Sequence, residues 1–345
     1  MHDLLGRGFV DLALHPESAR TSNRLAGHID GATQSGIAAV VAALDSHGAD
    51  TLWLDGSNLG RIAQAVKRAR PQVRILTFFH NVEARFFLGA LRRARNLRAA
   101  GVLIGNYVAE RMAIRHSTEV IVLSDRDGGG LERLYGRRAD HILPMALRDQ
   151  LGIRIPSTQD QLATQDQPAT QDQLAAPDAP LLFVGGSFYA NQAGIAWFAN
   201  AVAPRIKIRT DVVGQGMDAM RDTLERAPDM RVIGAVDSLE PLYRDARLVI
   251  APIFDGSGMK TKVAEALMFG KRVVGTPEAF SGYAHDVVAA NWCCSDAAEF
   301  VAAIAEARAL PLRSYDAATR LLYERDHSPS ATAVRLARIL DVKTP

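Results

Sequence analysis

Asp255-Gly256-Ser257-Gly258 is a short glycine loop that runs, through Met259 and Lys260, into a segment with helical spacing, Thr261 to Met268. Backbone N–H groups and the positive end of a helix dipole converge at such a start, and a phosphate or carboxylate is the guest they favour. Lys260 and Lys262 lie beside it. The chain has six lysines among its 40 basic residues, and three of them (with Lys271) fall within this one segment. That clustering turns a common strand-to-helix turn into a candidate diphosphate cradle. Glu265 follows further along the helix, with Val263, Ala264, Leu267 and Met268 as an apolar stripe behind it. The helix thus offers cations at its tip and an acceptor carboxylate at a distance that suits a ribose hydroxyl pair.

The elements that must hold this helix alternate. Strand-like runs at Phe9 to Leu14, Thr51 to Asp55, Ile75 to His80 and Val120 to Ser124 are separated by helical segments near 34 to 46, 59 to 69 and 84 to 116. The rhythm resumes with Leu181 to Val184, Thr210 to Val213, Arg231 to Ile233, Leu248 to Ile253 and Arg272 to Gly275. Such alternation predicts an α/β protein with parallel sheets covered by helices in both halves. Ligands then sit beyond the carboxyl ends of the strands, in a cleft faced by both sheets.

The stretch IAPIFDGSGMKTKVAEALMFGKRVVG resembles the donor-nucleotide signature of retaining glycosyltransferases of the two-Rossmann-domain (GT-B) architecture, family 4 and its near relatives. Leu181 to Gly186 with Asn191 and Trp197-Phe198, Val212 to Met217, and Val232 to Val236 resemble successive strands and turns of the donor domain. Thr77 to Glu83, TFFHNVE, resembles the HN-[VI]-E run of the acceptor domain. The resemblance covers roughly residues 9 to 310. It implies donor contacts from Gly185, Gly186, Gly214, Gly256, Ser257, Gly258, Met259, Lys260, Lys262 and Glu265, with Lys260 acting on the leaving diphosphate and His80 on the donor sugar or acceptor hydroxyl. Two departures stand out. Ser257 occupies the position where many members carry the first of two glutamates, and the usual basic pair is absent from GGSFYANQ, which increases the reliance on Lys260 and Lys262.

In the acceptor half this family opens with a strand and glycine-rich loop, yet only MHDLLGRG precedes FVDLALHP, which resembles the second strand. The expectation is a first domain that lacks its first, central strand, with a gap in its sheet and a truncated N-terminus. The resemblance implies four regions: an acceptor-side domain over 1–150, a disordered linker over 151–180, a donor domain over 181–325, and a C-terminal helix and tail over 326–345 that pack back on the first domain. The linker is marked by TQDQLA, TQDQPA and TQDQLA at 158 to 175, a polar repeat with no apolar face.

Composition narrows the function. A net charge of +2 on 345 residues argues against a nucleic-acid binder, and 48% apolar content is ordinary for two cores. Adjacent Cys293 and Cys294 cannot build a disulfide framework, which predicts a reducing compartment. With no apolar run of membrane-spanning length and no signal-peptide pattern, the expectation is a cytoplasmic protein, free or peripheral to the inner face of the cell membrane. Residues 85 to 98, RFFLGALRRARNLR, carry five arginines and no acid. They read either as a basic helix that lies on an anionic bilayer or as a solvated arginine face.

Metal-dependent transferases use Asp-x-Asp, and Asp125-Arg126-Asp127 has that spelling. It follows a strand of the acceptor half and reads as a helix cap, so neither metal nor cofactor is expected. The resemblance implies transfer of a hexose-type unit from a nucleotide diphosphate sugar to a saccharide or lipid-linked acceptor, in surface-polysaccharide assembly. Two alternatives stay open: a donor-binding, catalytically weak homologue acting as a partner subunit, and a nucleotide-sugar epimerase on the same architecture.

Overall fold

The computed structural model of the chain describes residues 1–15, 20–151, 174–176, 178–256 and 258–342. Two compact units result. One comprises Met1–Pro144, Gly256–Gly258 and Ala333–Pro345, the other Met145–Asp255 and Met259–Thr332. Each is built on a parallel sheet with helices, the two-domain α/β fold expected from the alternation of elements.

Unit 1 has a four-stranded sheet in the order β1 (Thr51–Asp55), β2 (Arg74–Phe79), β3 (Glu119–Val122), β4 (His141–Ile142). Side chains alternate between its faces. Val120 and Val122 pack with Phe79, Ala113 and Leu131, whereas Ile121 packs with Leu76 and with Leu336 and Ile339 of the last helix (Pro329–Leu340). The Arg74 guanidinium joins these parts, bonding Glu119 and the carbonyl of Ile339.

Three expectations for this half need correction. Phe9 to Leu14 is not a strand: the segment carries no ladder bonds to β1, and Val10 and Leu12 are 51% and 41% exposed. Its alternating pattern is that of a strand, but alternation supplies only one face of burial and needs a hydrogen-bonded neighbour to become a strand. Nor is there an internal gap, because the four strands pair consecutively and β1 lies at the end of the order. The expected long helical segment is two helices, α1 (Glu83–Ala94) and α2 (Leu97–His116). Arg95 turns with φ +46°, and the Asn96 side chain then caps α2 through the Ala99 N–H.

Unit 2 carries six parallel strands in the order β10-β9-β8-β5-β6-β7, with β5 at Leu181–Val184, β6 at Thr210–Val213, β7 at Met230–Gly234, β8 at Leu248–Ala251, β9 at Val273–Gly275 and β10 at Trp292–Cys293. Both faces are covered, which explains the near-continuous apolar runs. Leu181, Phe183, Leu248 and Ile250 enter one core, and Leu182, Val249 and Ala251 the other.

Most of the hexapeptide repeat and Ser257 lie outside the described residues. Its last two residues are anchored: Leu174 bridges Arg313, Ala175 donates to the Leu312 carbonyl, and Arg247 bonds the carbonyls of Ala175 and Ala176. Residues before the repeat are also held in unit 2, although from sequence they fall with the first domain. Arg320, fully buried, binds Asp149 at 2.6 Å, Glu324 at 2.5 Å and the Met268 carbonyl, while Tyr323 donates to the Leu147 carbonyl.

Arg320→Met should therefore destabilise unit 2, since it leaves two carboxylates facing each other without a cation. The loss expected is at the lower end of about 3–5 kcal/mol, because Asp149 and Glu324 retain some water. Denaturant unfolding measures it, and Arg320→Met with Asp149→Leu should recover part of the loss.

Candidate functional site

In unit 2, strands β5, β6 and β7 run outward on one side and β8, β9 and β10 on the other, so the order reverses between β5 and β8. A crevice forms at such a reversal because successive crossovers diverge from it. β5 ends directly in Gly185-Gly186, and β8 leads through Pro252 to Asp255 into Gly256 and Gly258, which have φ of +138° and +65°. Gly214 ends β6 with φ +150°, and a Cβ there would stand 2.1 Å from the Gly185 carbonyl oxygen. Only glycine fits that approach. The predicted donor glycines 185, 186 and 214 are thus brought together at the carboxyl ends of neighbouring strands.

Helix α3 (Thr261–Met268) follows β8. Val263, Ala264, Leu267 and Met268 are fully buried, as their stripe requires. Tyr283 ties down its start: the hydroxyl donates to the Lys260 carbonyl at 2.7 Å and accepts from the Ala264 N–H at 2.9 Å. The Val263 N–H returns to the Lys260 carbonyl, which closes the first turn of α3. Met259 is 8% exposed and acts as packing under this turn.

The two cradle lysines are placed differently. Lys260, at the N-cap, extends to Glu278 at 3.0 Å. Lys262 does not point into an open cradle. It is 7% exposed, its Nζ lies 4.3 Å from the centre of the Phe183 ring and donates to Asn191 Oδ1 at 2.8 Å. Burial draws its pKa down to about 7, with only partial compensation from Glu265. Lys271 is likewise buried and drawn down to about 7, and it caps carbonyls of Arg244 and Ala246, a structural task away from the glycine turns.

Glu265 accepts from the Tyr243 hydroxyl at 2.8 Å, and Tyr243 is fixed by stacking on Phe269 with ring centres 4.3 Å apart. Desolvation raises the Glu265 pKa. The Tyr243 bond orients one carboxylate oxygen and so fixes where the other can point. Neither tyrosine was signalled in sequence, because each contact joins residues about twenty positions apart that lie in different elements.

In unit 1, β1 ends at Asp55 and β2 is followed by His80. His80 Nε2 and Asp55 Oδ1 are 2.9 Å apart, and the His80 ring lies 4.7 Å from Phe78. The hydrogen bond from His80 to the Asp55 carboxylate raises the imidazole pKa and lowers that of Asp55 itself. Parallel register brings the two together, since Asp55 pairs with Phe78 across the ladder. Glu83 opens α1 and is raised by desolvation. The start of α1 is held by Glu110, fully buried on α2, which accepts from the N–H groups of Glu83 and Ala84 and from the Tyr135 hydroxyl at 2.6 Å. Asp55 and Glu110 both escaped sequence reasoning: each is a lone carboxylate whose partner is distant in the chain.

Asp125 and Asp127 begin the helix Asp125–Tyr135. Ser124 Oγ donates to Asp127 Oδ2 and accepts from the Asp127 N–H, a capping arrangement that occupies that carboxylate. Among the described residues no group of three or more His, Cys, Asp or Glu side chains is arranged to hold a metal ion.

Residues 179–309 match the family described as glycosyl transferases group 1, a stretch that begins just before β5 and ends with the helix Ala297–Ala309. No match was found among curated proteins. The fold is that of two-domain GT-B glycosyltransferases. The sucrose-phosphate synthase of Thermosynechococcus elongatus aligns with a TM-score of 0.66 at 15% identity, over 88% of this chain and 76% of that one. Anabaena HepE in complex with UDP aligns at 0.63 and 16% identity, over 90% and 83%. A glycosyltransferase from Rickettsia africae aligns at 0.62 and 11%, over 98% and 85%.

The His80–Asp55 pair makes a direct prediction. Because His80 is raised and Asp55 lowered, the pair's contribution to stability is full between the ordinary carboxylate and histidine values, and is lost as pH rises through the raised His80 value or falls through the lowered Asp55 one. Asp55→Asn should return the His80 titration midpoint, followed by NMR of the ring protons, towards the ordinary value of about 6.5. An unchanged midpoint would show that another group sets it.

Proposed function

We propose that the chain is a glycosyltransferase that binds a nucleotide diphosphate sugar in unit 2 and transfers the sugar, with retention of configuration, to a saccharide or lipid-linked saccharide. The observation that carries this reading is the convergence of glycine turns 185–186 and 214 with Lys260 and Glu265 at the strand reversal of a sheet whose sequence matches glycosyl transferases group 1. A diphosphate leaving group needs fixed positive charge as the anomeric carbon gains oxocarbenium character. Lys260 and the start of α3 supply it, with Glu278 holding the ammonium in the meantime. Glu265, oriented by Tyr243, receives the ribose hydroxyls. His80, polarised by Asp55, acts on the sugar or the acceptor hydroxyl. UDP is the nucleotide in the bound Anabaena relative and supports a uridine or guanosine diphosphate donor here.

The basic stretch 85–98 supports an acceptor met at a membrane. Leu97 is 92% exposed at the α1–α2 connection, and Leu88 and Ile104 are partly exposed on the same pair of helices that carries Arg85, Arg92, Arg95 and Arg98. Among the described residues no helix is long and apolar enough to cross a membrane, so contact would be peripheral. Sedimentation with phosphatidylglycerol vesicles but not with phosphatidylcholine vesicles is the expected outcome. Leu97→Asp should reduce it without altering the melting temperature.

Uridine or guanosine diphosphate should bind without metal and raise the melting temperature, with about 2.7 kcal/mol gained at a hundredfold over the dissociation constant. A shift abolished by chelator would refute the metal-free cradle. Lys260→Ala should weaken the diphosphate by roughly 1.5–3 kcal/mol and spare the nucleoside. Glu265→Gln should weaken both.

Turnover with radiolabelled donor and a saccharide acceptor separates transfer from donor binding alone. His80→Ala should lower turnover with little change in nucleotide affinity, as for a group acting on the sugar. An epimerase would instead convert donor in the absence of acceptor.

A further inference from the structure

Three polar groups are stacked behind the first glycine turn of unit 2. Lys262 Nζ donates to Asn191 Oδ1 at 2.8 Å, and Asn191 Nδ2 donates to the Gly186 carbonyl at 3.0 Å. The same carbonyl accepts the Phe188 N–H at 2.8 Å, while the Ser187 N–H goes to the Gln215 carbonyl at 2.9 Å. The assembly is tight. A Cβ on Gly185 would stand 2.9 Å from Asn191 Nδ2 and Cγ and 3.1 Å from Lys262 Nζ, so the turn rests directly on the pair. Asn191 belongs to the helix Tyr189–Ala201 and Lys262 to α3, so the contact ties together the helices that follow β5 and β8. An asparagine in this position is bidirectional: its oxygen is oriented by the lysine, which commits its amide donor to the loop.

We propose that Lys262 is a positioning residue, which acts on the donor diphosphate through Asn191 by fixing the Gly185–Gly186 turn, and is not itself a phosphate ligand. The inference rests on the reading of unit 2 as the nucleotide-sugar site. Its geometric basis is that the lysine's reach is used inward: Nζ is enclosed by Phe183, Asn191 and the underside of Gly185, with Glu265 on its own helix and Lys260 as the charged neighbours. Direct charge on the phosphates then falls to Lys260, and Lys262 sets how the Gly186 N–H is presented, since the N–H groups of Gly185, Ser187 and Phe188 bond the carbonyls of Val213, Gln215 and Gly186.

The test uses Lys262→Met, Asn191→Leu, the double variant and Asn191→Asp. Hydrogen exchange of the Ser187 and Phe188 amides is followed in the free protein, and UDP and uridine affinities by calorimetry. Asparagine to aspartate is the decisive change, because it keeps an acceptor for Lys262 and removes the donor to Gly186. All four variants should speed exchange at Phe188 by a similar factor and weaken UDP about five- to tenfold, with uridine spared. The double variant should lose no more than either single change, as expected for residues acting in series. If UDP losses from Lys262→Met and Asn191→Leu multiply, Lys262 touches phosphate and the proposal is overturned. Wild-type exchange in Asn191→Asp also overturns it, since Asn191 would then serve only as a partner for a buried charge. Should the wild-type chain fail to bind UDP, the donor assignment falls, and the exchange measurements still decide whether Lys262 fixes the turn.

Discussion

A parallel sheet whose crossovers run outward in both directions from one strand pair cannot close over the carboxyl ends of that pair. In unit 2 the pair is β5 and β8, and the glycine turns and the start of α3 are arranged around its carboxyl ends. The constraint explains why glycines stand where side chains would collide: a Cβ on Gly214, at the end of β6, would stand 2.1 Å from the Gly185 carbonyl oxygen at the end of β5. It also brings together the helices that follow β5 and β8, where Lys262 of α3 bonds Asn191 of the helix Tyr189–Ala201.

Unit 2 holds several buried cations, and their tasks differ by what surrounds them. Lys271 and Arg247 are spent on helix-end carbonyls, and Arg320 on two carboxylates and a carbonyl, all of them answers to the rule that buried charge needs partners. Lys262 has an amide oxygen and an aromatic face instead. A neutral partner leaves an ammonium under-compensated, and the drop in its pKa to about 7 is the energetic sign of that. An under-compensated cation is tolerated where it serves a site, and here its Nζ lies 3.1 Å from the Cβ position of Gly185 in the glycine turn.

Unit 1 follows the same logic with the opposite sign. Glu110 is fully buried and is raised by desolvation, yet it accepts hydrogen bonds from the Tyr135 hydroxyl and from the otherwise orphaned first N–H groups of α1, those of Glu83 and Ala84. By holding those groups it fixes the backbone just after His80 and Asn81. The His80–Asp55 contact is set separately, by the register of β1 on β2, so the imidazole is anchored from the strand side and its following loop from the helix side.

Much of this was legible in the chain itself. The apolar runs of Leu181 to Val184 and Leu248 to Ala251 announced strands buried on both faces, and the clustering of lysines around Gly256 and Gly258 marked the helix that matters, because local composition and periodicity act over a few residues. The same locality misled at Phe9 to Leu14, where alternation looked like a strand and no neighbour pairs with it, and at residues 84 to 116, where a single asparagine cap divides one helix into two. Which lysine faces a ligand could not be read, since Lys260 and Lys262 are two residues apart on one helix start and differ only in what other elements bring to them: Glu278 to the first, Phe183 and Asn191 to the second. Tyr243 on Glu265, Tyr283 on the start of α3 and Asp55 on His80 were equally invisible. Sequence determined the elements and the kind of chemistry, through interactions between near neighbours. Tertiary structure alone decided the partners of each charged group, because those contacts join residues tens of positions apart whose meeting depends on strand order and register.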